Sequence, residues 1–131
     1  MRSIALGVGV MVALGLMAVS PGEALADSPG VLQAVVINTN GKDDALLAEA
    51  KKNEKIFKRL GIQARRRYLQ ATLAGPQTGT MIVSIDYPSL TAFAEAQAKL
   101  AEDKEWQEYI SRVTGAGMTI ESNSIYRDLT P

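Results

Sequence analysis

Residues 31–38, VLQAVVIN, decide the fold of this 131-residue chain. They are β-branched or apolar on both alternating faces, and this pattern predicts a strand that is covered from both sides. Thr39, Asn40 and Gly41 then form a turn, and Asp43 is the predicted N-cap of a helix. We therefore expect this strand in the interior of a sheet with a covering layer on each face.

Apolar residues at helical spacing predict a first helix after this turn, and Gly61 is predicted to end it. The stripe of this helix consists of Leu46, Ala50, Asn53, Phe57 and Leu60. Alternating patterns predict three further strands at residues 62–73, 80–87 and 118–127. The sequence GPQTG at residues 75–79 is typical of a hairpin loop between the first two of these strands.

A second helix is predicted after Pro88, with Ser89 as its N-cap and Phe93 in its first apolar stripe. The pair Glu102-Asp103 interrupts this stripe and indicates a kink or a break. Beyond the interruption the spacing i, i+3, i+4, i+7 resumes, and the residues on it are Trp106, Tyr109, Ile110 and Val113.

The predicted order β-α-β-β-α-β is that of a ferredoxin-like α+β fold. In this fold an antiparallel four-stranded sheet carries both helices on one face, and the other face is bare. The first strand is apolar on that bare face as well. We therefore expect a second copy of the chain to cover it, so that the protein is a homodimer.

The N-terminal segment has the pattern of a signal peptide spanning residues 1–26. Arg2 precedes the apolar run Ile4 to Val19, and Ala24-Leu25-Ala26 matches the small-x-small cleavage site. The run has 16 residues, fewer than the roughly 20 that a bilayer span needs. We expect cleavage after Ala26, a mature domain of residues 27–131, export to the periplasm or the medium, and no stable membrane insertion afterwards. The alternative is an uncleaved membrane anchor.

The composition excludes several classes of function. The 14 basic and 14 acidic residues balance, which argues against nucleic acid as a partner, because nucleic-acid binding needs a basic surplus. The chain has no cysteine and no histidine. A thiol nucleophile, a Ser-His-Asp hydrolase and the usual zinc and haem ligands are therefore impossible. We expect no cofactor and no metal site.

Several short stretches resemble the dimeric α+β barrel superfamily. They are AGPQTGT at 74–80, IDYPSL at 85–90 with Phe93, EWQ at 105–107 and SIYR at 124–127. Within the superfamily the chain is most similar to the NIPSNAP-like group of small domains. The resemblance implies two sheets packed across a dimer axis, and in each subunit a pocket between the sheet and the helices. The superfamily includes cofactor-free monooxygenases, lactone isomerases, haem enzymes and proteins without known activity, and the resemblance transfers no catalytic residue to this chain.

Six residues are candidates for a ligand pocket. Arg66 and Tyr68 share one face of their strand because they are two residues apart, and they could bind an anionic or phenolic group or line the dimer interface, the interpretation that we favour. Trp106 on its apolar stripe is predicted to be a core residue, with a pocket residue as the alternative.

The other three candidates lie on the last two predicted strands. Asp86 is predicted to cap a turn or to pair with an arginine, and the alternative is a carboxylate base at a pocket mouth. Asn123 is predicted to lie on a solvated edge. Tyr126 and Asn123, with Tyr68 and Trp106, could form a polar and aromatic pocket.

Two hypotheses of function remain from the sequence. The first is a binding or structural module, an exported homodimer that holds a small apolar or aromatic ligand without turnover. The second is a cofactor-independent monooxygenase or isomerase that acts on a small aromatic or lactone substrate. The second requires a base, and without histidine this base must be an Asp, Glu, Lys or Tyr with a shifted pKa. A buried, unpaired carboxylate beside a cavity would favour the enzyme.

Overall fold

A computed structural model describes residues 30–131 of the chain, so the predicted signal peptide, residues 1–26, lies outside the described residues. The elements are β1 (Val31–Asn38), α1 (Asp43–Ala48), α2 (Ala50–Arg59), β2 (Arg65–Gln70), a 3-10 turn (Gly75–Gln77), β3 (Met81–Tyr87), α3 (Leu90–Ala101), α4 (Lys104–Gly115) and β4 (Thr119–Arg127). Among residues 30–131, no helix is long and apolar enough to cross a membrane.

The four strands form one sheet in the order β2-β3-β1-β4, and each neighbouring pair is antiparallel. This arrangement confirms the predicted ferredoxin-like α+β fold. β1 lies in the interior of the sheet, as its apolar sequence predicts, and β2 and β4 are the edges. Pairing between β1 and β4 shifts register at Val36 and Ile37, where Glu121 is the extra residue of a bulge.

One face of the sheet packs against all four helices in a single core. Along each strand, residues on this face alternate with residues on the other face. The strands contribute Val31, Ile37, Met81, Val83, Ile85 and Tyr87 to the core. The helices contribute Leu46, Ile56, Phe57, Ala96, Leu100, Tyr109 and Val113. The opposite face, which we call the open face, carries Leu32, Ala34, Val36 and Ile82 near its centre. Leu69 and Tyr126 are exposed on the edge strands of this open face.

Each of the two predicted helices is two helices in the structure, with breaks at Glu49 and at Glu102-Asp103. The cause of the second break is Asp103. Its side chain accepts a hydrogen bond from the backbone N–H of Trp106 at 2.9 Å and so caps α4. The same carboxylate is held by two nitrogens of Arg59 at 2.9 and 3.0 Å, which ties α4 to α2. Ser89 caps α3 through the N–H of Ala92, so both of these predictions are confirmed.

The start of α1 differs from the prediction. The N-cap is Lys42, which makes no side-chain cap, and Asp43 is the first helical residue. The Asp43 carboxylate instead accepts hydrogen bonds from the hydroxyl of Thr39 and, at 3.1 Å, from the amide of Gln70 on β2. The predicted cap at Asp43 is therefore wrong, because a tertiary contact with β2 recruits this carboxylate.

Both helices that lead into edge strands end in the same way. Gly61 and Gly117 have positive φ angles of 69° and 89°. The next residues, Ile62 and Met118, donate their N–H to the carbonyls of Phe57 and Val113, which is the bond pattern of a Schellman motif. The predicted helix end at Gly61 is confirmed. Because the turn after it includes Ile62, β2 begins at Arg65 and not at residue 62 as predicted.

The Asp103 contacts predict a pH dependence of stability. The hydrogen bond from Arg59 lowers the pKa of Asp103, and so do the capping N–H groups, while burial opposes them. A carboxyl with a lowered folded pKa stabilises the protein above its unfolded pKa and loses this contribution as the pH falls through the folded pKa. We expect Asp103→Asn to lower the melting temperature at pH 7 and to lose most of this difference below about pH 4.

Thermal melts from pH 7 to pH 2.5 measure this effect. The exposed neighbour Glu102 provides the control variant Glu102→Gln, which should melt like the parent protein at every pH. If Asp103→Asn lowered the melting temperature equally at pH 7 and at pH 2.5, the ion pair with Arg59 would not be the cause of the pH dependence.

Candidate functional site

A half-buried arginine lies between the sheet and the helices. Arg66 is on the edge strand β2 opposite Ile85 of β3, a core residue, so its side chain points into the helix-facing layer. The guanidinium carbon is 4.7 Å from the centre of the Phe57 ring on α2 and 5.6 Å from that of Tyr68. Arg66 Nη2 also donates a hydrogen bond to the Tyr68 hydroxyl. Cation–π contacts and one hydrogen bond therefore position this charge.

The polar atoms around Arg66 are incompletely satisfied. Within residues 30–131, Nε and Nη1 of Arg66 are buried without a hydrogen-bond partner. The same holds for both amide atoms of Asn53, which lies one helical turn before Phe57 and is 1% exposed. Buried polar groups are nearly always paired, and a buried unpaired amide costs about 1–3 kcal/mol. Four unpaired atoms in one layer are therefore a signal of a binding site.

Two tyrosine hydroxyls are under the influence of Arg66. Burial raises the pKa of Tyr109, and the nearby Tyr68 raises it further, while Asn53 beside its hydroxyl and the charge of Arg66 act in the opposite direction. Burial raises the pKa of Tyr87 to about 12, against the charge of Arg66 and the hydrogen bond from Gln97. Both hydroxyls stay protonated at neutral pH and act as neutral donors.

We call Asn53, Phe57, Arg66, Tyr68 and Tyr109 the arginine cluster.

A polar chain continues from Tyr87 across the sheet. The Tyr87 hydroxyl donates to Gln33 Oε1 at 3.4 Å and accepts from Gln97 at 3.4 Å. Gln33 is buried on β1, and its amide nitrogen donates to the side-chain oxygen of Asn123 on β4 at 2.9 Å. The exposed Asn123 thus anchors the end of a network, and its amide group is engaged with Gln33 rather than with solvent alone.

Aromatic rings border the cluster on α4. The Trp106 ring lies 5.9 Å from Phe57 and 5.0 Å from Tyr109, both in tilted orientations. Trp106 is half-buried and packs at the edge of the core rather than inside it. One edge of this aromatic group therefore faces the solvent near β2.

The structure separates the six predicted site residues into two groups. Arg66, Tyr68, Trp106 and Asn123 lie on the helix-facing side, whereas Asp86 and Tyr126 lie on the open face, in one row with Leu32. Arg66 and Tyr68 both point away from the open face, so they do not line the interface that we expect there. Asp86 pairs with Arg67 at 3.4 Å, as its structural interpretation predicts.

No family model matches the chain, and no curated protein sequence matches it. Among solved structures, a NIPSNAP family protein from Agrobacterium tumefaciens matches with a TM-score of 0.57 and 22% sequence identity. The match covers 79% of this chain and 88% of that chain. The chain has a NIPSNAP-like fold. The resemblance seen in the sequence is thereby confirmed for the fold, which positions the arginine cluster between sheet and helices.

Four polar residues between the sheet and the helices of this NIPSNAP-like fold were not among the candidates from the sequence. They are Gln33, Asn53, Tyr87 and Tyr109. A usable signal was present for two of them. Gln33 is the polar residue inside the apolar run VLQAVVI, and Asn53 is the polar member of an otherwise apolar helical stripe. A polar residue at a core position requires a partner, and Gln33 has its partners in Tyr87 and Asn123.

The half-buried position of Trp106 sets the size of its contribution to stability. A fully buried large aromatic costs about 3–5 kcal/mol when replaced by alanine, so Trp106→Ala should lower the free energy of unfolding by about 2 kcal/mol. Trp106→Phe should retain most of the stability because Phe57 and Tyr109 keep a ring to pack against. Urea unfolding measures both variants. An unchanged Trp106→Ala midpoint would show that the Trp106 ring contributes little to the packing of α4.

Proposed function

We propose that the protein is a binding module that holds a small molecule in the arginine cluster without turning it over. The observation that carries this proposal is the set of buried, unpaired atoms on Arg66 and Asn53. Unsatisfied buried polar groups destabilise the free protein. They are typical of ligand-binding sites, where a bound molecule supplies the missing hydrogen-bond partners. The surrounding aromatic rings favour a ligand with a flat apolar body.

The alternative, a cofactor-independent monooxygenase or isomerase, lacks a base in this layer. Of the carboxylates in the described part of the chain, Asp86 lies on the open face with Arg67, and Asp103 is held by Arg59. The charge of Glu49 raises the pKa of Tyr109. The Glu49 carboxylate is itself held by Arg112 through hydrogen bonds of 2.7 and 3.0 Å, and these lower the pKa of Glu49. Tyr87 and Tyr109 have raised pKa values and are poor bases at neutral pH. A binding function is therefore the simpler explanation of the site, because it needs no base.

The same residues argue against a metal as the bound species. Among residues 30–131, no group of three or more acidic side chains is placed to hold a metal ion. The cluster itself presents N–H and O–H donors and a positive charge, which repel a cation and attract an anion or a polar organic group.

We also propose that the open face is covered by a second copy of the chain. Leu69 and Tyr126 are 44% and 56% exposed on its two edges, and the half-buried Leu32, Ala34 and Ile82 lie between them. A self-complementary apolar patch of this kind is typical of a two-fold interface. The dimer leaves the arginine cluster free, because the cluster lies on the other side of the sheet.

Export of the mature domain completes the proposal, supported by the segment Arg2 to Ala26. Mass spectrometry of the protein purified from its own host tests all three parts. We expect a denatured mass that begins at Asp27, a native mass of two subunits, and a co-purified small molecule. Leu32→Glu should give a folded monomer that still carries the molecule.

Each part can fail separately in this experiment. A retained segment 1–26 would contradict export and favour a membrane anchor. A soluble parent monomer would contradict the interface on the open face. A chain that carries no small molecule, and whose Trp106 fluorescence responds to no member of a fragment library, would contradict the binding module.

A further inference from the structure

The guanidinium of Arg66 presents a free two-hydrogen edge. Nη2 has two hydrogens, and only one of them goes to the Tyr68 hydroxyl. The second lies beside either Nε or Nη1, and within residues 30–131 both of these nitrogens are unpartnered. Whichever edge it occupies, two parallel N–H donors remain unpaired; Nε and Nη1 are buried, so a ligand reaches this edge only by displacing the side chains that cover it. This fork matches the two oxygens of a carboxylate.

The charge of Arg66 also lacks a counter-ion in its layer. Among the described residues, no aspartate or glutamate forms an ion pair with it, and the neighbouring Arg67 takes Asp86 on the opposite face. A half-buried cation without an anion is costly. A single monovalent anion would neutralise it, whereas a doubly charged phosphate would leave an excess charge in the same low-dielectric layer.

The other donors of the cluster converge on the same place. The Tyr68 hydroxyl accepts from Arg66, so its own hydrogen is free to donate. The amide of Asn53 lies beside the Tyr109 hydroxyl and lowers its pKa as a hydrogen-bond partner does, although the contact falls short of hydrogen-bond geometry. Phe57 and the half-buried Trp106 supply flat apolar surface next to these donors.

We propose that the arginine cluster binds the carboxylate of a small aromatic acid, with Arg66 as the residue that recognises the anion. This inference rests on the proposed binding function and specifies its ligand class. The acid enters at the edge of β2, where Arg66, Tyr68 and Trp106 are all half-buried. The carboxylate takes the free guanidinium edge, the Tyr68 hydroxyl donates to it, and the ring of the acid packs against Trp106.

Binding of benzoate, benzamide, acetate and inorganic phosphate to the purified protein tests this proposal. The single tryptophan, Trp106, reports occupancy by fluorescence, and calorimetry gives the affinity. We expect benzoate to bind at least about tenfold more tightly than benzamide, because a charged hydrogen-bonded pair replaces a neutral one. Acetate should bind more weakly than benzoate, and phosphate more weakly still.

Two neighbouring arginines provide a matched pair of variants. Arg66→Leu should remove benzoate binding and still fold, since it removes a half-buried charge without a counter-ion, and its melting temperature checks this. Arg66→Lys keeps the charge but lacks the fork, and should weaken binding about tenfold. Arg67→Leu removes a charge one residue away on the opposite face and should leave benzoate affinity unchanged.

The outcomes separate the ligand class from the binding function. Equal affinity for benzamide and benzoate, or retention of benzoate by Arg66→Leu, would overturn the carboxylate while small-molecule binding stands. Tighter binding of phosphate than of benzoate would replace the organic acid by an inorganic anion. A protein that binds none of the four probes, and nothing in a fragment library, would overturn both proposals.

Discussion

Replacing Leu46 by alanine should destabilise the protein by about 3–5 kcal/mol. Leu46 is 0% exposed and is the only buried residue of the six-residue helix α1. Its side chain thus supplies the main apolar contact between α1 and the core. The variant loses the transfer free energy of the missing carbons and leaves a cavity that a short helix held at both ends cannot fill by moving.

The consequence reaches beyond α1 because both of its ends hold other elements. Asp43 at its start binds Gln70 of β2, and Glu49 just after its end binds Arg112 of α4. A domain of about 100 residues has a stability at the lower end of the 5–15 kcal/mol range. Leu46→Ala should therefore leave little of it and lower the melting temperature by about 15–25 °C.

Leu47 provides the matched control for this measurement. It is the next residue on the same helix and is 44% exposed, so Leu47→Ala should change the free energy of unfolding by less than about 1 kcal/mol. Urea titrations of the two variants and the parent compare them directly. A Leu46→Ala midpoint close to that of Leu47→Ala would show that α1 contributes little to the folded core.

Local signals in the sequence were sufficient for most of the fold. The bounds of β1 agree with the prediction because β-branched and apolar residues recur on both of its faces. Gly61, Ser89 and Asp103 mark helix ends through local hydrogen bonding that acts over three to five residues. The errors arise where a distant contact intervenes. Asp43 is engaged by Gln70 from another element, which a local capping rule does not include.

The candidate site was only half accessible from the sequence. Period two places Arg66 and Tyr68 on one face, but the strand RRRYLQ is polar on both sides, so the pattern does not show which face meets the helices. The position of Phe57 under Arg66 settles this, and it depends on the packing of α2. Asn53 is visible in the sequence as the polar member of an apolar stripe, but its unpaired amide is seen only in the structure.

Asn53 therefore provides a test of whether the polar layer serves stability or binding. Leucine has the same branching and number of side-chain heavy atoms as asparagine, so Asn53→Leu replaces the unpaired amide by apolar groups, with some added volume from the two methyl groups. Removing a buried unsatisfied amide recovers about 1–3 kcal/mol, and leucine is also the better helix former. We expect the free energy of unfolding to rise by about 2 kcal/mol and the melting temperature by about 10 °C.

The gain in stability should be accompanied by a loss of function. If the amide is present for a ligand, Asn53→Leu should bind benzoate more weakly than the parent, a trade-off that is typical of binding sites. Asn53→Ala is the control, because it removes the same amide but leaves a cavity among Phe57 and Tyr109, and should be less stable than Asn53→Leu. A less stable Asn53→Leu would show instead that the amide is paired with Tyr109 in solution, and that its role is structural.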